Sequence, residues 1–386
     1  MSGRIRVSPK AVLGALAVFG TVAAAPAAVA DNFLNTMDLS GTLASSYFYN
    51  TNDPNNNDNT YGGSANPFHP NSNQFQFDEL WISASREGEA ISFGFDVVFG
   101  ALGDINGGGG GGNGVWVSQA YVDWATPLGV TLTVGKFGTH IGYEVAGAAF
   151  NSTVTRGFAY QSFQPVSQLG AKLSGSIGVV DWMVGGTNGL GENQPDNLAD
   201  GPDVIWSLGT GGETTGGLNW GLNFAGEYGG DGEFFGGAGG DDALVLDGII
   251  SLSTDVIESW VNFTWAKVFE GGSRNSDPDG WALNVGTRAA LSDVAGITGR
   301  IEYGQGEGSS SGPASVFGVA GAGDFEAIAV TGVLDYMLVK NLQLKFEVKW
   351  DHALDADGST DVFQDGDATE LDDQQVTLGA QLVFTF

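Results

Sequence analysis

The amino-acid sequence predicts an all-β chain: a transmembrane antiparallel β-barrel of about sixteen strands, with fourteen or eighteen as the neighbouring possibilities. Three observations carry that expectation. The final strand alternates strictly, with Leu378, Ala380, Leu382, Phe384 and Phe386 on one parity and Thr377, Gly379, Gln381 and Thr385 on the other. Alternate side chains of a strand point to opposite faces, so one face is apolar and the other mostly polar. Runs of this kind, roughly 8 to 13 residues long, recur along the whole chain, near the length a tilted strand needs to cross a bilayer. Finally, the connections alternate between short and long, as they do when one rim of a barrel carries tight turns and the other carries loops.

In chain order the candidate strands fall near 37–49, 74–86, 89–101, 115–126, 129–137, 167–176, 179–187 and 203–210, and then near 217–228, 243–253, 256–268, 280–291, 296–305, 324–336, 341–353 and 374–386. Ile91, Phe93, Phe95, Val97 and Phe99 share a parity, as do Leu218, Trp220, Leu222 and Phe224, and again Leu342, Leu344, Phe346, Val348 and Trp350. The short turns include Glu87-Gly88, Pro127-Leu128, Gly178, Thr254-Asp255, the stretch 292–295 and Val339-Lys340. The long connections include 50–73, 102–114, 138–166, 188–202, 229–242, 269–279, 306–323 and 354–373. They are rich in Asn, Asp and Gly, which form turns and supply little packing material. Both termini on the short-turn side require an even strand number. The segment 203–210 and the Gly/Thr-rich turn 209–216 are the least regular part of the pattern.

The N-terminus reads as an export signal. Arg4, Arg6 and Lys10 precede the apolar stretch 11–24, and Ala28-Val29-Ala30 suits cleavage before Asp31. Residues 1–30 are therefore excluded from the expected fold, and 31–386 are assigned to the barrel. Absence of cysteine excludes a lipid-anchored terminus, a disulfide framework and thiolate metal sites. After cleavage 11 basic residues stand against 45 acidic ones, a net charge of −34. Such a charge repels nucleic-acid phosphates. It either keeps exposed loops soluble or enriches cations at a pore mouth. A chain closing on an aromatic, here Phe386 with Phe384 on the same face, resembles the terminal assembly signature of bacterial outer-membrane barrels. That signature implies outer-membrane lipids and the barrel-assembly machinery as partners.

One segment, 135–174, departs from alternation. Its ordered features are Gly135-Lys136-Phe137, Gly142-Tyr143-Glu144, Asn151, Arg156, Phe158, Tyr160, Pro165 and Gly170. Over these residues the chain resembles the β-barrel porin-2 (OmpL-like) family, although Ala146, Gly147, Ala148 and Ala149 stand where that family usually has larger residues. The resemblance implies an outer-membrane channel. The segment 138–166 is the third external connection, and by analogy with sixteen-stranded porins it is the candidate constriction loop, formed or braced by Tyr143, Glu144, Asn151, Arg156, Phe158 and Tyr160. The plainer expectation is a clasp in which Glu144 pairs with Arg156 while Tyr143 and Phe158 pack inside. The two are compatible.

Strand parity also defines an inner wall. If aliphatic and aromatic positions face lipid, then Asp96, Asp123, Lys172, Asp181, Asp247, Glu258, Arg288, Arg300, Glu302, Lys345, Glu347 and Lys349 face inward. Arg or Lys facing hydrocarbon at midplane costs about 2–4 kcal/mol. These residues then either stiffen the barrel through cross-strand ion pairs or set a field for solutes. His69, His140 and His352 are scattered in sequence and form no nucleophile–base arrangement. Asp277-Pro278-Asp279 and Asp355-Ala356-Asp357-Gly358 do not complete a calcium loop, so neither a metal nor another cofactor is expected. The expected function is passive diffusion of small hydrophilic solutes, cations in preference, through a water-filled lumen with no reaction catalysed. A barrel-scaffolded enzyme or adhesin and a secreted lectin-like β-protein are the alternatives. Small outward residues such as Ala120, Gly248 and Gly332 suggest a homotrimer contact.

Overall fold

Sixteen strands pair in sequence order and close on themselves in the computed structural model, which describes residues 37–54, 60–61, 64–65, 72–107, 114–189, 202–230, 242–269, 279–307, 324–356, 363–364 and 371–386. The strands are β1 (Asp38–Asn50), β2 (Gln74–Arg86), β3 (Ile91–Phe99), β4 (Val115–Ala125), β5 (Thr131–Gly138), β6 (Ser167–Ile177), β7 (Val180–Thr187) and β8 (Asp203–Glu213). They continue as β9 (Asn219–Gly229), β10 (Asp242–Ser253), β11 (Ile257–Phe269), β12 (Asp279–Ala290), β13 (Ala295–Glu307), β14 (Phe325–Val339), β15 (Leu342–Ala356) and β16 (Gln374–Thr385). Closure is made by β1 against β16, in register from Thr42–Thr385 to Asn50–Thr377. Closing the sheet leaves no unpaired edge, which is the condition for a β-structure in hydrocarbon.

Every expected strand is present. The irregular segment at 203–210 is a full strand running to Glu213, because its glycines still pair with Asn219 to Asn223 of β9. The expected strand end at 101 is shorter, since the chain turns into a helix, α1 (Ala101–Gly107), after Phe99. The export signal and His69 lie outside the described residues. So do most of the glycine run 107–112 and most of the two acidic clusters.

Alternation translates directly into two faces. Phe95, Phe224, Phe263, Phe346, Val348 and Leu382 stand exposed on the outside. Aromatic residues pack together on the same outer surface, with Trp281 and Tyr303 centred 4.9 Å apart and Trp206 and Phe224 5.3 Å apart. Amphipathic rings in such belts suit a membrane interface. Inward positions are mostly small or polar, with buried large groups such as Trp81, Trp116, Phe137, Met183 and Trp260 among them. Alternation breaks at a bulge opposite Ala44-Ser45, where Asp78 and Glu79 are adjacent in sequence and both buried. One extra residue lets two consecutive side chains face the same side.

Candidate functional site

The connection between β5 and β6 does not stand above the rim but crosses the barrel interior. It contains a short 3₁₀ turn at Ala148–Phe150 and a helix, α2 (Phe158–Phe163). Two glycines permit its path. Gly142 has φ +87°, a left-handed conformation that other residues adopt only with strain. At Gly157 a Cβ would run into the carboxylates of Glu302 and Glu144 and the amide of Asn284.

Within the loop, Asn151 and Arg156 tie the backbone to itself. Asn151 Nδ2 donates to the carbonyls of Val145 (2.7 Å) and Gly147 (2.8 Å), and its Oδ1 accepts from the Val145 N–H at 3.0 Å. Arg156 donates to the carbonyls of Val145, Ala146 and Val154 and lies 6.0 Å from the Tyr160 ring centre. Removing the donor from a buried carbonyl costs about 1–3 kcal/mol.

Other groups fasten the loop to the wall, mostly on strands far from its own. Glu144 accepts from Arg300 Nη1 at 2.5 Å and from the Gly157 N–H at 2.7 Å. Arg300 also donates to Thr153, Thr155 and Thr331, and its other terminal nitrogen lies 3.2 Å from Glu302. Glu302 accepts from the N–H of Phe158, and Glu347 from those of Val154 (2.6 Å) and Thr155 (3.1 Å). Lys345 donates to the carbonyls of Ala148 and Asn151 at 2.9 and 2.6 Å. Glu79 of β2 accepts from the Ala148 N–H. Tyr143 stacks on Trp260 at 4.8 Å with an 8° interplanar angle and donates to Glu258 at 2.8 Å. The Glu258 carboxylate beside it and burial hold the Tyr143 phenol above its ordinary range, burial being the larger effect. His140 Nε2 lies 3.0 Å from the Gly226 carbonyl. Burial pushes its imidazole down to about 4, although the Gly226 carbonyl favours the charged form.

Apolar packing completes the clasp. Ile141, Phe158, Ala159 and Phe163 sit against inward Ala225, Ala266, Ala282, Ala327 and Ala353 on β9 to β15. Ala148 packs with Ala44 and Val383, and Ala146 with Trp81, Trp116 and Tyr160. The run of small residues 146–149 thus lets the loop backbone reach the wall.

Two expectations change here. Glu144 does not pair with Arg156; it takes Arg300, because Arg156 is consumed by loop carbonyls. Cross-strand ion pairing is also not the general fate of the inward charges. Arg288, bound through two nitrogens to Asp335 at 2.8 and 3.0 Å, bridges separate strands, while Lys349 pairs with Asp351 of its own strand at 2.7 Å. All twelve charged wall residues face inward, but Asp247, Arg300, Glu302, Lys345, Glu347 and Lys349 lie at 2% exposure or less. They touch the loop or one another rather than open lumen. Asp96, Asp123, Asp181, Glu258 and Arg288 are half-buried, and Lys172 lies 4.2 Å from the Phe137 ring centre. The sequence had a signal for one missed clasp residue: Glu79 follows Asp78 in a strand, and consecutive acids can avoid lipid only through a bulge.

The sequence profile of the family described as Putative beta-barrel porin-2, OmpL-like, matches residues 36–386. The chain belongs to this family. No curated protein matches the porin's sequence. Solved structures resemble it in fold at low identity. OmpT of Vibrio cholerae, an outer membrane protein in its trimer form, is 14% identical with a TM-score of 0.56, covering 91% of this chain and 99% of its own. The outer membrane channel DcaP of Acinetobacter baumannii is 11% identical, with a TM-score of 0.57 and coverage of 91% and 97%. An anion-selective porin from Comamonas acidovorans is 13% identical, with a TM-score of 0.54 and coverage of 91% and 99%. Membership of this porin family places the chain in the outer membrane.

Proposed function

We propose that this porin passes small hydrophilic solutes by passive diffusion, that the loop 138–166 sets their size limit, and that cations are preferred. One observation carries the preference: apart from Lys172, the inward basic groups of the wall and loop named above are bound by the clasp or by a neighbouring acid. Arg156, Arg300 and Lys345 hold loop carbonyls and Glu144, Lys349 holds Asp351, and Arg288 is bound to Asp335. Among half-buried inward groups, the acids Asp96, Asp123, Asp181 and Glu258 make no ion pair among the described residues. The acidic loops add a field at the mouth whose reach is about 10 Å at 0.1 M salt. Reversal potentials across a planar bilayer in a salt gradient test this: cation preference that weakens as salt rises is expected, and anion selectivity overturns it.

Export by cleavage after Ala30 and assembly through the Phe384–Phe386 terminus belong to the same reading. The ring of Phe386 meets Gly41 of β1, and the backbones of these two residues exchange hydrogen bonds at 2.9 and 3.0 Å across the closing seam. N-terminal sequencing of the mature protein should begin at Asp31. A Phe386→Asp variant should lose most of its heat-modifiable outer-membrane form, and unchanged yield would remove the terminal residue from the assembly step. A homotrimer is proposed from the trimer form of OmpT together with the open outward surface over Gly248 and Gly332. Chemical cross-linking in detergent should give a three-subunit band, and a monomer alone would discard it.

A further inference from the structure

We infer that the conducting path of this porin is eccentric, running down the wall made by β3 to β7, with Asp96, Asp123 and Asp181 as its charged lining. The inference rests on the channel reading above and assigns it a route. Its basis is a difference in cover between two walls. On β10 to β15, burial begins close to the periplasmic turns, at Thr298 and Lys345, and extends through Asp247, Asn262, Asn284 and Thr331, none more than 2% exposed. The loop lies against this wall, joined to it through Arg300, Glu302, Lys345 and Glu347 by the ion pair and hydrogen bonds already described. No solute can pass where side chains and loop backbone are in hydrogen-bond contact.

On β3 to β7 half-buried inward positions continue up the wall. They include Ser92 and Asp123 near the turns, Tyr121 and Gly185 at mid-height, and Asp96 and Gln119 above. The carboxylates there are held by neutral donors. Gln119 donates to Asp96 at 2.6 Å, Thr133 to Asp123 at 2.5 Å, and Ser176 to Asp181 at 2.5 Å. Lys172 is the cation near enough to offset Asp123 in part. Tyr121 is half-buried in the same wall and packs on the sealed side chains of Phe137 and Met183. Such a lining suits hydrated cations, which meet carboxylate and phenol oxygens.

The chain contains no cysteine, so single cysteines can report the route without background. Ser92→Cys, Asp123→Cys, Ser174→Cys and Asp181→Cys probe the β3–β7 wall; Ala266→Cys and Ala329→Cys probe the covered wall. Each full-length variant is reconstituted in a planar bilayer and treated with a cationic methanethiosulfonate. A bulky cation fixed on the path is expected to lower single-channel conductance roughly twofold or more at the first set and leave the second unchanged. Block at Ala266 or Ala329, or reaction without block on the β3–β7 wall, overturns the route while leaving the channel reading intact. Absence of channels in the cysteine-free parent removes both. In addition, the triple variant Asp96→Asn, Asp123→Asn, Asp181→Asn is expected to lose most of the cation preference. An unchanged permeability ratio removes these residues from the lining.

Discussion

The wall from β9 to β16 and the wall from β3 to β7 are written in the same alternating code, yet their inward charges have different fates. Arg300, Lys345 and Glu347 reach a loop that returns their hydrogen bonds, and all three are sealed from water. Asp96, Asp123 and Asp181 take single bonds from neutral neighbours and stay partly open. Inward orientation therefore does not distinguish a filter from a fastening. What distinguishes them is whether another segment supplies matching donors and acceptors. A charge that has been desolvated and matched is a structural commitment, whereas one left in water remains free to act on a passing ion.

Breaking the contrast outright should have the largest effect. Deleting residues 144–156 removes every loop group that meets Arg300, Lys345 and Glu347, uncovering the β13–β15 wall. Single-channel conductance is expected to rise severalfold with assembly retained, as judged by heat-modifiable migration. Equal conductance would mean that the loop does not limit flow.

A stability comparison sharpens the same point. Arg300→Ala leaves Glu144 and Glu302 buried without their cation, a change expected to cost about 3–5 kcal/mol. Asp181→Asn on the open wall should stay within about 0.5 kcal/mol. Urea unfolding in detergent, read through the gel shift, measures both, and similar losses in the two variants would erase the distinction between the walls.

The smallest effect concerns His140 at the start of the loop. Its folded pKa of about 4 lies below the ordinary 6.5, so the unfolded chain binds the proton first. Stability from this group is complete above about pH 6.5 and is lost progressively as pH falls toward 4. A His140→Asn variant should show a shallower decline over that window than the parent, measured by unfolding midpoints at pH 7, 5.5 and 4.5. Parallel declines would assign the acid sensitivity to other groups.

Much of this molecule was legible before folding. The alternation in segments such as 91–99, 342–350 and 374–386 dictates strand and face together, because a one-residue slip would put every charge in lipid. The bimodal connections order the strands around the barrel, and motif residues such as Asn151 and Arg156 stand out because they interrupt the period. The partners of those residues were not legible. Glu144 meets Arg300 across 156 positions and Lys345 meets Asn151 across 194. No local periodicity encodes such a distance; closure of the sheet and the left-handed turn at Gly142 bring these groups together. Sequence alone determined which side chains point inward along the regular strands, since parity decides that there; at the bulge that turns both Asp78 and Glu79 inward it does not. Tertiary structure decided which of them the loop covers, since that depends on where an irregular segment of small residues comes to rest.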